Sequence, residues 1–259
     1  MRKLLFIALI LMISQNSYSQ LKFVAHRGAS YIAPENTIAS IEMAWKLDSY
    51  GAECDIYLTK DKKIVIFHDS NTKRLTSENH VVSETNYSVL KNLSIKLKST
   101  NSSYFKGQKI PLLEDALKTL PEDKLLVIEI KCGKEVLPEL DKVIKKHWKT
   151  GNIAFISFGF KTISLTKALF PEVPCYFLSG SLDKVYNLYP EIVKNKLDGV
   201  DLNHKIIDKQ IVEKMKKDGK DVWCYTVNTP EIAKKMKELG VSVITTDRPY
   251  FLKESMLNK

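Results

Sequence analysis

Two histidines, three carboxylates and two cationic side chains stand in or beside the ends of short apolar runs. His26 and Arg27 follow Phe23-Val24-Ala25, and His68 follows the run 64–67. Glu53 and Asp55 lie within 52–58, while Glu129 lies within 124–131, a run that Lys131 closes. Strand side chains alternate faces, so Glu53 and Asp55 share one face and Cys54 and Ile56 the other. The same parity groups Glu129 with Lys131 and sends Ile128 and Ile130 against the opposite layer. Three carboxylates from neighbouring strands make an oxygen-rich set suited to a hard divalent cation. Without positive charge they would repel and raise one another's pKa. A competing account pairs each carboxylate with a nearby base such as Lys131 or Arg27. Few histidines and no close-set cysteine pair join the acids, which argues against zinc. Two imidazoles can take and give a proton near neutral pH, as cleavage of a phosphate ester requires. Arg27 and Lys131 would offset the negative charge that builds on the phosphate. The other histidines, His80, His147 and His204, read as packed or solvated.

Positioning those groups takes a regular succession of elements. After His26-Arg27-Gly28, the segment 34–37 (PENT) opens a helix that Asn36 or Thr37 can cap, with Ile38, Ile41, Ala44, Trp45 and Leu47 at helical spacing. Gly51 ends that helix, and a turn at 60–63 joins the Glu53/Asp55 strand directly to the strand before His68. From 70 to 109 the pattern lapses into a polar stretch with one short amphipathic piece at 87–93. A stretch of that length reads as a lid, a cap or a flexible loop, and not as a second core. Helices are then expected at 112–120, 134–149, 161–170, 182–195, 207–217 and 230–239. Strands are expected at 124–131, 152–158, 173–177, 199–202, 221–227 and 242–245. Taking the strands around Glu53 and His68 as one unit gives about eight βα units, the number of a TIM (β/α)8 barrel, with a small insertion (70–109) after the second βα region. An open doubly wound sheet would carry a glycine-rich dinucleotide fingerprint, and no strand is followed by one. Barrel chemistry sits at the C-terminal strand ends, where Asn203 or His204, Asn228 and Asp247 also fall.

With 259 residues the chain can bury a full core. Residues 1–19 read as a signal peptide: Arg2 and Lys3, then an apolar run too short to span a bilayer, then Ser17-Tyr18-Ser19. Cleavage before Gln20 would leave 20–259 as one exported domain, periplasmic or secreted, with no stable membrane insertion. Loss of Arg2 and Lys3 takes the formal net charge from +10 to +8. A basic surface draws anionic partners, but these lysines are scattered and interleaved with Asp and Glu on helical faces. They read as solvated faces and not as a nucleic-acid surface. The four cysteines, Cys54, Cys132, Cys175 and Cys224, lie in or beside apolar strand-like runs, which favours free thiols.

The blocks HRGAS, APENT, ECD, FHD, IPLLEDAL, LLVIEIK, YTVN and TTDRP, in that order from about Phe23 to Pro249, resemble the glycerophosphodiester phosphodiesterase family. The block from HRG to PENT, with ECD and HD, is the specific part; IPLLEDAL and YTVN are weaker alone. The resemblance implies a TIM barrel with an insertion after the FHD strand, where 70–109 falls. It also implies His26 and His68 as the acid/base pair and Glu53, Asp55 and Glu129 as ligands of Mg²⁺ or Ca²⁺. Arg27 and Lys131 become phosphate contacts, Tyr225 a pocket wall, and Glu35 and Asn36 supports for the His26 loop. The implied reaction converts a small glycerophosphodiester, such as glycerophosphocholine or glycerophosphoethanolamine, to sn-glycerol 3-phosphate and an alcohol. Either water or the adjacent glycerol hydroxyl would attack first. One departure is visible: after Ser157-Phe158 the family often has Asp, and this chain has Gly159.

Two rivals remain. A phospholipase C- or D-like enzyme acting on intact phospholipid would need an exposed apolar rim. The excursion offers only Val81-Val82, Tyr87 and Tyr104-Phe105. A non-catalytic phosphate-binding barrel would have no use for an acid/base pair.

Overall fold

The computed structural model describes residues 21–257, so the expected signal peptide lies outside the described residues. The strands are β1 (Lys22–Ala25), β2 (Gly51–Leu58), β3 (Ile64–Ile66), β4 (Leu125–Ile130), β5 (Asn152–Ser157), β6 (Cys175–Ser179), β7 (Gly199–Asn203), β8 (Asp221–Tyr225) and β9 (Val243–Thr246). The helices are α1 (Ile38–Lys46), α2 (Tyr87–Leu90), α3 (Leu113–Thr119), α4 (Leu137–His147), α5 (Phe160–Leu169), α6 (Leu182–Lys194), α7 (Lys209–Lys217), α8 (Pro230–Leu239) and α9 (Pro249–Leu257). All strands but β3 pair in parallel in the order β1-β9-β8-β7-β6-β5-β4-β2, and β1 pairs with β2 to close the ring. The fold is a TIM barrel. No helix among the described residues is long and apolar enough to cross a membrane.

Strand parity divides the core in two. Val24, Val127, Ala154, Ile156, Leu178, Trp223 and Val243 fill the barrel interior, where Trp223 stacks on Tyr176 with ring centroids 3.9 Å apart. The alternate residues, among them Cys54, Ile128, Ile130, Phe155, Phe177 and Leu202, pack outward with helix residues such as Ile41, Leu140, Val185 and Met215. Burying each large apolar side chain contributes about 1.5–3 kcal/mol, so the outward layer supplies much of the stability. It leaves interior positions at the strand ends open to polar residues. The four cysteines are free thiols.

The β2 edge is shared between two neighbours, and that sharing matters for the site. β1 pairs with β2 only at Gly51 and Ala52, whereas antiparallel β3 pairs at Ile56, Tyr57 and Leu58. The Phe67 N–H then donates to the Asp55 carbonyl at 2.9 Å. A strand outside the ring therefore delivers His68 beside the ring's carboxylates.

Three sequence expectations need correction. The excursion does have a core: Leu75, Val82, Leu90, Leu93, Ile95 and Ile110 cluster with Val65 and Phe67 of the β3 segment. Apart from the amphipathic piece at 87–93, where α2 forms, its apolar residues are scattered among polar ones and carry no helix or strand period to read. The strand expected at 173–177 is displaced to Cys175–Ser179. α9, which begins at Pro249, was not anticipated.

Candidate active site

The loop after β1 is wound tightly enough to put successive residues to different uses. Arg27 and Asn36 both adopt left-handed backbone, with φ of 56° and 57°. Gly28, at φ 74°, lies so close to α1 that a Cβ there would sit 2.5 Å from a Ser40 backbone atom. Thr37 caps α1, its hydroxyl accepting the Ser40 N–H at 3.1 Å and its own N–H donating to Ser40 Oγ at 3.2 Å. That leaves Asn36 free to grip Asp55: its Nδ2 donates to Asp55 Oδ2 at 2.7 Å, and its Oδ1 accepts the Asp55 N–H at 3.1 Å. The Arg27 N–H donates to Glu53 Oε2 at 2.8 Å.

Glu53, Asp55 and Glu129 converge, each offering an oxygen within 4.8 Å of the others. Two bases approach them. Lys131 Nζ lies 2.8 Å from Glu129 Oε1 and 3.6 Å from Asp55 Oδ1, and Arg27 Nε lies 3.4 Å from Asp55 Oδ2. Both pairings occur, yet three acids face two bases, and Arg27 also donates to Glu35 at 2.7 Å. Glu53 Oε1 is buried with no hydrogen-bond partner among the described residues. Burial, then repulsion from Asp55 and Glu129, holds Glu53 well above the usual carboxylate range. Burial and Asp55 push Glu129 up to about 7. A cluster short of positive charge, with an unsatisfied oxygen turned into it, fits a divalent cation.

The histidines face the same pocket. His26 Nδ1 lies 2.8 Å from Asp247 Oδ1, and Asn228 Nδ2 donates to Asp247 Oδ2 at 2.7 Å. Burial alone would raise Asp247, but the hydrogen bonds from His26, Asn228 and Ser30 hold it down at about 2. His68 Nδ1 lies 2.6 Å from Asp69 Oδ1, and its Nε2 lies 3.3 Å from Lys131 Nζ. An ammonium can only donate, so Nε2 carries the lone pair and Nδ1–H donates to Asp69. Burial lowers the pKa of His68, which favours this neutral form.

A pocket of about 230 Å³ is lined by His26, Arg27, Glu53, His68, Glu129 and Lys131 on its charged side and by Phe158 and Tyr225 opposite. Phe158 and Tyr225 meet edge to face, their centroids 5.9 Å apart. Asp55, Glu35 and Asn36 lie behind that surface, each about 1% exposed. All ten residues singled out by sequence thus fall in or directly behind one mouth of the barrel. His80 and His147 do not: they meet Glu78 and Glu114. His204 follows β7 at the mouth, where its ring meets the Tyr225 carbonyl, but it does not line the pocket.

The model of the glycerophosphoryl diester phosphodiesterase family matches residues 26–250. The chain belongs to that family. It is similar to a glycerophosphodiester phosphodiesterase of Caldanaerobacter subterraneus, at 29% identity over 242 residues, covering 91% of this chain and 96% of that one. A solved phosphodiesterase of Oleispira antarctica, in complex with the product sn-glycerol-3-phosphate, matches with a TM-score of 0.83 at 26% identity. It covers 91% of this chain and 96% of its own. A glycerophosphodiester phosphodiesterase structure from Parabacteroides distasonis matches with a TM-score of 0.77 at 25% identity, over 93% and 98% of the two chains. This chain is a glycerophosphodiester phosphodiesterase, a hydrolase acting on a small-molecule glycerophosphodiester.

Several residues of this phosphodiesterase site escape a sequence reading. Asp69, Asn228 and Asp247 lie in the blocks FHD, YTVN and TTDRP, but nothing in the sequence gives them a task. Arg74 belongs to the excursion and carries no local signal. It donates to Asp69 through Nε at 2.6 Å and to Glu35 through Nη1 and Nη2 at 3.1 and 2.9 Å. Asp201, an acid within the apolar run of β7, was detectable by the parity that selected Glu53. At the Gly159 departure the N–H donates to Ser157 Oγ at 3.2 Å. The neighbouring Phe158, not an acid, forms the wall on that side.

Proposed function

We propose that His26 and His68 carry out acid/base hydrolysis of glycerophosphodiesters such as glycerophosphocholine and glycerophosphoethanolamine, releasing sn-glycerol 3-phosphate and the alcohol. One observation carries this reading: two imidazoles, each fixed through Nδ1 by a carboxylate, line one small pocket with the acidic cluster. Glu53, Asp55 and Glu129 would hold the divalent cation, Mg²⁺ or Ca²⁺, which when bound supplies positive charge against the phosphate oxygens.

His68 is assigned as the base, because Asp69 holds the proton on Nδ1 and burial favours the neutral ring, so that Nε2 carries the lone pair. It takes a proton from the attacking water as the new P–O bond forms. His26 gives a proton to the alkoxide as the old P–O bond breaks, so one proton enters and one leaves the pair. Arg27 and Lys131 bind the phosphate, as bases left partly uncompensated once a cation takes up the carboxylates. Tyr225, with Phe158, forms the wall against which the substrate is oriented. Glu35 and Asn36 support the His26 loop and Asp55. Export through cleavage before Gln20 completes the proposal, and N-terminal sequencing of the exported protein checks it; an intact Met1 outside the cytoplasm would refute cleavage.

The test is release of glycerol 3-phosphate from both diesters with EDTA and then with Mg²⁺ or Ca²⁺ restored. Activity that EDTA abolishes and metal restores is expected. No activity on either diester by folded protein, with turnover of micellar phospholipid, would replace this reading with the lipid-substrate one.

A further inference from the structure

The pocket has two unlike halves. His26, His68, Arg27, Lys131 and the carboxylate cluster handle charge, while the wall from β5 to β9 is uncharged except at one point. That point is Asp201 of β7, in register with Leu178 of β6 and Trp223 of β8, one interior layer below Tyr225. Asp201 lines the pocket although only 1% of it is exposed, and its Oδ1 has no hydrogen-bond partner among the described residues. Leaving a buried carboxyl unpaired costs stability, so its place in a ligand pocket points to a group arriving from outside.

A phosphodiester brings two arms, and they differ in what they can offer. The choline arm has no hydrogen-bond donor and cannot give Asp201 Oδ1 the hydrogen bond it lacks. The glycerol arm is compact enough for a pocket of about 230 Å³ and carries hydroxyls. Burial and then Glu129 push the Asp201 pKa well above the usual range. A hydroxyl satisfies either form of the group, since the carboxylate accepts and the acid both donates and accepts. We propose that Asp201 hydrogen-bonds a hydroxyl of the glycerol arm and thereby selects glycerophosphodiesters over diesters that lack it. The inference rests on the phosphodiesterase reading and adds the residue that recognises the substrate class.

The test compares glycerophosphocholine, glycerophosphoethanolamine and propylphosphocholine, in which hydrogens replace the two hydroxyls. For Asp201→Leu, kcat/KM on glycerophosphocholine relative to propylphosphocholine is expected to fall about 10- to 100-fold. Asp201→Asn keeps hydrogen-bonding capacity and should fall less, and Asp201→Ala takes the place of the leucine variant if that one does not fold. Both glycerol substrates should lose equally. An unchanged ratio in the leucine or alanine variant overturns the inference while leaving the hydrolase reading intact. So does an equal loss on all three diesters, which would mark a structural role. A loss confined to glycerophosphoethanolamine would assign the contact to its ammonium and also overturn the inference. A wild-type enzyme inert on every diester would sink both readings together.

Discussion

The two histidines are held by different parts of the molecule. His26 is oriented by the barrel itself. Asp247 follows β9, Asn228 follows β8, and Ser30, which donates to Asp247 Oδ1 at 3.2 Å, belongs to the loop after β1. The Asp247 N–H and the Thr246 hydroxyl both donate to Asn228 Oδ1, at 2.9 and 3.0 Å, closing that brace within the strand ends. His68 lies outside the ring, and its carboxylate Asp69 is held by Arg74 from the excursion. Arg74 also joins Arg27 and Lys98 around the buried Glu35. One half of the proposed acid/base pair thus depends on the closed sheet, and the other on an insertion tied down by ion pairs. The barrel sets one imidazole by covalent proximity to paired strands, whereas the insertion must set the other through side chains that can be cut individually.

The largest expected effect removes either imidazole. His26→Ala and His68→Ala should each lower kcat/KM on glycerophosphocholine by about 10²- to 10⁴-fold with the fold intact. Changing the alcohol separates them. A 4-nitrophenyl diester of glycerol phosphate has a leaving group that departs without a proton. His26→Ala should therefore recover most of its loss on that substrate, while His68→Ala stays impaired. Recovery by His68→Ala instead would exchange the two roles.

A smaller effect tests the braces. Arg74→Met should lower kcat about 10-fold with little change in KM, because a loosened Asp69 leaves His68 misoriented without removing it. Arg74→Lys should not restore the rate, since one ammonium cannot reproduce the fork that serves Asp69 and Glu35 together. Asn228→Ala should act in the same way on His26. Double mutants read the coupling. The Arg74→Met effect should vanish in a His68→Ala background and persist in His26→Ala, and the Asn228→Ala effect should do the opposite. Additivity of Arg74→Met with both histidine variants would mean that the insertion does not act through His68.

The same division governed what could be read from the sequence. The barrel side was legible because strand parity is a local property: Glu53, Asp55, Glu129 and Lys131 follow from alternation along single runs. The βα count predicted the ring that brings those runs together. The sequence offers Asn36 and Thr37 as alternative caps, and only the fold separates them, since Thr37 caps α1 and Asn36 is spent on Asp55. The excursion was opaque for a matching reason. Leu75, Val82, Leu90 and Ile110 obey no period, and Arg74 finds Glu35 across 39 positions of sequence. Contacts fixed by tertiary docking leave no spacing to detect.

The smallest expected effect is on acid stability, and it again sets one side against the other. Asp247 is held at about 2, against an ordinary 3.8, because hydrogen bonds from His26, Asn228 and Ser30 outweigh the burial that would raise it. Burial of Glu35 is likewise outweighed by Arg74, Arg27 and Lys98, which keep it far below its ordinary 4.5. A carboxylate whose folded pKa is depressed contributes its full stabilisation above the unfolded pKa and loses it as pH falls through the folded one. Denaturant midpoints should therefore be flat above about pH 5 and decline toward about pH 2.5. The Asp247 side chain is 35% exposed and the Glu35 side chain 1%. Solvent screens the first more than the second. Glu35→Gln should accordingly flatten the acid decline more than Asp247→Asn, even though the glutamine variant starts from a lower midpoint, with Arg27, Arg74 and Lys98 facing a neutral amide. A steeper dependence on Asp247 would place the acid-sensitive tie in the barrel, and the insertion would then be held mainly by the apolar cluster around Leu90 and Ile110 instead of by its ion pairs.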